Sequence, residues 1–181
     1  HVRIVHTGTR QIYGRPKYSP VDESHPISPT DINGIHKHCA ELYHNMFHSA
    51  YGLRTTILRL TNTYGPRQMI RNSGQGVAGA FIGNALRGEP IQLFDGGNQK
   101  RDFTYVGDIV EGVVATLDRP PVANEAFDRD EPQASGSWAP YKVFNIGHSE
   151  PVQLMDFIRT LEAALGVCSA LEAADRARAR G

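Results

Sequence analysis

Apolar and polar positions follow two rhythms along this chain. Near the start, "VRIVHT" is apolar and β-rich, and it predicts a strand ending near Thr7. From Ile32 the spacing lengthens: Ile32, Ile35, Cys39, Leu42, Met46 and Ala50 recur at intervals of three to four. That recurrence predicts a helix, with Asp31 placed to cap it and Gly52 to stop it. "RTTILRL" reads as the next strand, Val77–Arg87 as a helix and Ile91–Phe94 as a short strand. "DIVEGVVATL" predicts an amphipathic helix whose apolar stripe is core and whose Glu111 is surface. "YKVFNIG" then reads as a strand, and "VQLMDFIRTLEAALG" as a helix with Leu154, Phe157, Ile158, Leu161 and Leu165 on one side. Between these lie "YGRPKYSPVDESHPISP", "NTYGPRQMIRNS", the turn "DGGNQKRDF" and the acidic, Pro-rich "DRPPVANEAFDRDEPQASGSWAP", all without periodicity. Strands alternating with helices predict an α/β fold with a largely parallel sheet.

Composition narrows this picture a little. The 181 residues suffice for one compact domain with a real core, or for part of a larger one. The formal net charge is zero, so bulk electrostatics favour neither nucleic acid nor an anionic membrane. No apolar run approaches the roughly 20 residues of a membrane span. Cys39 and Cys168 form no C-x-x-C pair and are expected as ordinary thiols in a reducing, cytoplasmic compartment. The chain opens directly into a strand, without an initiator Met or a signal pattern, as an excised piece would.

Three short patterns invite chemistry. Gly74-x-Gly76-x-x-Gly79 has the spacing of a dinucleotide cradle. A cradle needs a strand end meeting a helix N-terminus, so that bare amides face the pyrophosphate. Here the preceding strand ends near Leu60, with Pro66, Arg67 and Arg71 in the polar stretch between. A loop entering a helix, with Gly79 serving close packing, fits better. Tyr13-x-x-x-Lys17 has dyad spacing, but Gly14 and Pro16 oppose the helix that would put both on one face. Glu41, His44 and His48 share a helical face, yet no further ligand stands nearby; solvated histidines and no metal are expected.

Longer motifs carry more. "VHTGTRQIYG", "PTDINGIHKHCAELYH", "LRLTNTYGPRQ" and "GNQKRDFTYVGDIVEG" occur in the order seen in NAD-dependent nucleotide-sugar epimerases and dehydratases, the extended short-chain dehydrogenase/reductases. The chain resembles that family from about Val5 to Gly166. Its second half, with "KRDFTYVGDIVEGVVATLDRPP" and "APYKVFNIGHSEPVQLMDFIRTLEAALG", looks most like UDP-glucuronate 4-epimerases, while "NGIHK" looks like another epimerase subgroup. The resemblance implies a partial Rossmann-like fold that lacks the N-terminal nucleotide-binding strands and keeps part of the substrate-binding subdomain. Residues 1–62 would be the C-terminal part of the Rossmann-like domain. Residues 63–166 would mix substrate subdomain with returning Rossmann elements, and 167–181 would be a divergent tail. The family's NAD cradle would lie upstream of His1, and its final substrate-binding segment is missing after Gly166.

Site residues follow by matching motifs. Thr9 stands where the family has the Ser/Thr that hydrogen-bonds the sugar hydroxyl; otherwise it is a strand-end hydroxyl on local backbone. Arg10 and Gln11 replace the Asp-Glu pair of 4,6-dehydratases, which argues against dehydration. Lys37 matches the lysine that holds the nicotinamide ribose, and Asn33 takes the place of the family's tyrosine base. A carboxamide does not titrate, so it cannot accept the sugar proton. Thr9 through water, Tyr13 and His36 are the substitutes to consider. Thr61 matches a residue lining the nicotinamide, and Asn62 one reaching the nucleotide diphosphate. Arg101 either grips a phosphate or pairs with Asp102, and Gln92 is a candidate uracil contact.

The resemblance thus implies an NAD-dependent nucleotide-sugar epimerase in carbohydrate metabolism, an isomerase of UDP-sugar 4-epimerase type working through a keto-sugar intermediate. This chain would be a fragment, inactive alone. The alternative is a non-catalytic nucleotide-sugar-binding or dimerisation domain. The partners implied are a UDP-sugar, no nucleic acid or membrane, and a second copy through the helix around Asn33–Tyr51.

Overall fold

The computed structural model of the chain describes residues 2–70 and 76–174. In chain order the first elements are β1 (Arg3–Thr9), a 3-10 turn (Arg10–Tyr13), α1 (Ile32–Tyr51), β2 (Arg54–Leu60) and β3 (Asn62–Tyr64). Next come α2 (Val77–Arg87), β4 (Ile91–Phe94), β5 (Lys100–Arg101), β6 (Phe103–Tyr105) and α3 (Val106–Asp118). The chain continues through β7 (Tyr141–Ile146), β8 (Val152–Gln153), α4 (Leu154–Leu165) and β9 (Leu171–Ala174). They gather into two compact units: His1–Thr61 with Gly107–Ile146, and Asn62–Val106 with Gly147–Gly181.

The first unit is built on a parallel sheet in the order β1-β2-β7. Its register runs from Arg3 opposite Arg54 to Thr9 opposite Leu60, and from Thr55 opposite Tyr141 to Leu60 opposite Ile146. β2 is central, and Thr55 to Arg59 are all buried, as expected for a parallel strand covered on both faces. Ile57 packs with Tyr141 and Val143. The outer edge of β7 is met by the loop before it: Val143 N donates to Ser135 O at 3.0 Å, and Gly136 pairs with Lys142.

α1 begins and ends as its sequence predicts. Asp31 Oδ1 accepts from Gly34 N at 2.8 Å, and Gly52 adopts a left-handed conformation at the C-terminus. Its buried residues, however, are Gly34, Glu41 and His48. The recurring apolar positions lie on the opposite side: Ile35, Leu42 and Met46 are about half exposed, and Ile32 more so. α3 also differs from its expected packing. Ile109 is buried, but Val110, Val114 and Leu117 are exposed along with Glu111, so the stripe is only partly core.

The second unit has an apolar core with more buried members. Phe81, Ile91, Leu93, Leu154 and Ile158 form it, with Phe157 and Leu161 packed against them, which places the predicted face of α4 inward. Phe103 stacks on Phe157 at 4.6 Å between centroids. The unit also contains the two-stranded pairs β3-β6, β4-β9 and β5-β8, with β4 contributing Ile91 and Leu93 to the core. β3 is thus a short parallel strand inside a segment that lacks periodicity, and β9 is a strand in the expected tail. Glycines set how closely α2 packs. A Cβ on Gly83 would lie 2.0 Å from Ile70 O, and one on Gly79 would lie 2.9 Å from Met69 O. Among the described residues no helix is long and apolar enough to cross a membrane.

Candidate functional site

At the carboxyl end of the sheet, Thr9 lies opposite Leu60 and Thr61 N donates to Ile146 O at 3.1 Å. This is the edge at which open α/β sheets bind ligands. Thr9 also starts the 3-10 turn: its Oγ1 accepts from Gln11 N at 3.3 Å and donates to Gln11 Oε1 at 3.2 Å. The first turn of α1 descends onto the same residue. Gly34 permits this approach, since a Cβ there would lie 2.8 Å from Gln11 O. Asn33, beside it, donates its Nδ2 to Gln11 Oε1. One turn further on, Lys37 Nζ donates to Thr7 O at 2.6 Å. Thr9 and Asn33 are therefore joined through Gln11, with Lys37 fastened to the same strand.

Of the substitutes for a tyrosine base, Thr9 belongs to this cluster, while Tyr13 and His36 are placed elsewhere. Tyr13 is 2% exposed, and its hydroxyl lies between Arg59 Nη1 and Asn145 Oδ1, each at 2.7 Å. Burial raises its pKa, with Arg59 opposing. His36 is exposed on α1. Gly14, with φ of 62°, ends the 3-10 turn after Tyr13, so Tyr13 and Lys17 share no helical face.

Beneath the cluster lies a buried ion pair. Arg59 Nη2 meets Glu41 Oε2 at 2.8 Å, and Arg59 Nε lies 3.2 Å from both carboxylate oxygens. Burial opposes the Arg59 charge, but the bonds and charge of Glu41, with help from Tyr13, hold its pKa above the ordinary value. Asn145 extends the network, receiving Tyr13 on its side chain while its N–H donates to Glu23 Oε1 at 2.6 Å. Glu41 is therefore committed to Arg59. The expected solvated histidines are corrected as well: His48 is buried and stacks on Tyr141 at 4.5 Å, and half-buried His44 lies 4.9 Å from the His6 ring.

The second unit contains a cavity of about 1090 Å3. Gln92 and Arg101 both line it, together with Asn84, Arg87, Phe94 and Gln99. Arg101 donates through Nη1 to Lys100 O at 2.9 Å and through Nη2 to Gln99 Oε1. Asp102 receives Ser149 N at 3.4 Å. Asn62 donates its Nδ2 to Asp102 O at 2.9 Å, tying β3 to the strand beside it. Of the glycine pattern, Gly74 lies outside the described residues. Gly76 begins α2 well after the end of β3 and makes no side-chain cap.

A sequence profile of the NAD dependent epimerase/dehydratase family matches residues 1–147. The chain belongs to this family. Protein CapI of Staphylococcus aureus is 32% identical over 164 residues, covering 90% of the chain and 48% of CapI. The UDP-glucose 4-epimerase of Thermotoga maritima, solved with UDP-glucose, matches 97% of the chain and 52% of its own at 28% identity, with a TM-score of 0.75. The UDP-glucuronic acid 4-epimerase of Bacillus cereus, solved with NAD, matches 94% of the chain and 49% of its own at 27% identity, with a TM-score of 0.73. The chain spans about half the length of the curated relatives it matches. These likenesses identify the mixed α/β architecture with that of the extended short-chain dehydrogenase/reductases.

Family members bind NAD. Lys37 uses one N–H on Thr7 O, and an ammonium has two more to offer a ribose. Thr61 follows β2 at the carboxyl end of the same sheet, where its N–H donates to Ile146 O. Among the described residues, no glycine-rich turn joins a strand end to a helix start for the pyrophosphate.

The Gln11 link and the Glu41–Arg59 pair were not foreseen. An arginine between two leucines in "RTTILRL" was the available signal, because a charge inside a buried strand requires a partner.

Proposed function

We propose that this chain is part of an NAD-dependent nucleotide-sugar epimerase of the UDP-sugar 4-epimerase type, and that alone it binds the nucleotide-sugar without turning it over. The observation that carries the proposal is that Gln92 and Arg101 line one cavity. A guanidinium suits a diphosphate by its forked donors, while an amide and the Phe94 ring suit a base. Asn62 is assigned to the diphosphate end by its motif. In the first unit, motif matches alone assign Thr9 to the sugar hydroxyl, Lys37 and Thr61 to the nicotinamide end, and Asn33 to the position of the base. The redox chemistry of such a reaction is hydride acceptance and return, which NAD supplies when bound.

Asn33 has no proton equilibrium near neutrality, and Tyr13 and His36 do not replace it; this supports binding without turnover. Titration calorimetry with UDP-glucose tests the reading. Saturable binding, weakened about tenfold (~1.4 kcal/mol) by Arg101→Ala, supports it. No binding at millimolar UDP-glucose overturns it. NADH fluorescence and the variant Asn33→Tyr then test whether the cofactor end and the missing base can be restored.

A second reading, a dimerisation domain, is favoured by the outward apolar stripe on α1. The two readings are compatible, since that stripe and the Gln92–Arg101 cavity involve different residues.

A further inference from the structure

Among the described residues, Gln11 is the side chain that both Thr9 and Asn33 use. Its Oε1 takes the Thr9 hydroxyl proton and one N–H of Asn33, while its own backbone N–H donates back to Thr9 Oγ1. Counting lone pairs gives the state of each group. Thr9 Oγ1 has spent its only proton and one lone pair, so it retains one acceptor site. Asn33 retains its carbonyl oxygen and its second N–H. With the two Nε2–H of Gln11 itself, the cluster offers a ligand two acceptors and three amide donors, enough to hold a sugar hydroxyl in a fixed direction. The backbone holds this arrangement in place. Gly34 lets α1 approach to where a Cβ would be 2.8 Å from Gln11 O, and Lys37 ties the next turn to Thr7 O.

We propose that Gln11 is a positioning residue. It fixes the direction of the Thr9 proton and the rotamer of Asn33, and so presents the free Thr9 lone pair and the Asn33 carboxamide to a sugar hydroxyl in set directions. The proposal deepens the nucleotide-sugar reading and rests on it for the identity of the ligand, but the hydrogen-bond cluster can be tested without that ligand.

The test uses the full 181-residue chain and two variants. Gln11→Leu removes the acceptor; Gln11→Glu keeps it as a carboxylate. The side-chain amide resonances of Asn33, identified by their loss in Asn33→Asp, are followed by ¹⁵N–¹H NMR. They are expected to move in Gln11→Leu and to remain hydrogen-bonded in Gln11→Glu at neutral pH. UDP and UDP-glucose are then titrated into all three proteins. UDP affinity should be unchanged, whereas the additional affinity conferred by glucose should fall about fivefold in Gln11→Leu, the effect of one hydrogen bond, and return in Gln11→Glu.

Asn33 resonances unmoved by Gln11→Leu would overturn the proposal. So would an unchanged glucose increment, even with both ligands bound. If neither ligand binds the wild-type chain, the nucleotide-sugar reading fails, and the placement of a sugar hydroxyl at Thr9 fails with it. The amide resonances then decide separately whether Gln11 positions Asn33.

Discussion

Glu41 and Arg59 show how a single pair can govern the stability of a unit. Both are nearly inaccessible to water, and each satisfies the other's charge. Removing one leaves the other buried and unpaired, which costs about 3–5 kcal/mol. Glu41→Ala should therefore reduce the urea-unfolding free energy by that amount or prevent folding altogether. Replacing both by apolar residues of similar volume should cost far less, since a buried pair contributes little net stability over well-packed hydrocarbon. Equal losses from the single and double replacements in urea unfolding would show that packing, not charge, sets the effect. Tyr13 belongs to the same network, and its raised pKa keeps it a hydrogen-bonding phenol rather than a base.

At the scale of elements, α1 is the instructive case. Its limits were legible, because capping by Asp31 and arrest at Gly52 are local chemistry. Its orientation was not. The 3.6-residue period of Ile32, Ile35, Cys39, Leu42, Met46 and Ala50 says that one face is apolar, but it cannot say whether the chain's own core or another surface receives that face. Glu41 and His48 take the inward positions because Arg59 and Tyr141 await them on β2 and β7, and partners that distant leave no mark on local periodicity. Strands of two or three residues escaped for a related reason: β3, β5, β6 and β8 are too short for a rhythm, and pairing alone defines them. Likewise Thr9, Asn33 and Lys37 could be named from motifs, whereas Gln11, their common partner, emerges only in three dimensions. The outward stripe carries a prediction. Met46→Glu with Leu42→Glu should convert a dimer to a monomer in sedimentation velocity while leaving the circular dichroism spectrum intact. A wild-type chain that sediments as a monomer at high micromolar concentration would remove the dimer reading.

Across the molecule, sensitivity to acid is unevenly distributed. His6, His44 and His48 all belong to the first unit, and burial is the leading cause that lowers the pKa of each below 6.5. His6 is lowered further by the charges of His44 and Lys37, and Glu41 works the other way on both His6 and His44. With folded values depressed, the unfolded chain binds protons first. Their contribution is complete above pH 6.5 and is lost as the pH falls below it toward the lowered folded values. The melting temperature should accordingly drop between about pH 7.5 and 5.5, and His48→Phe should flatten that drop. An unchanged melting temperature over the interval would sink this account. The edges of the first unit's sheet are uneven as well. Residues 135 and 136 meet the outer side of β7, but among the described residues no strand pairs with the other side of β1. An open edge is a template for another strand. The isolated chain is expected to self-associate or to unfold at low denaturant, and monomeric, cooperative unfolding with ordinary stability would count against that.

The inverted helix has a practical corollary. In α1 the instructions for folding are written in polar letters, Gly34, Glu41 and His48, and the greasy letters are addressed to the outside. The two messages occupy opposite sides of one cylinder, so each can be edited without corrupting the other. A library that randomises Ile35, Leu42 and Met46 should yield folded proteins with new associations, whereas a conventional search for hydrophobic core positions would spend its effort on the wrong side.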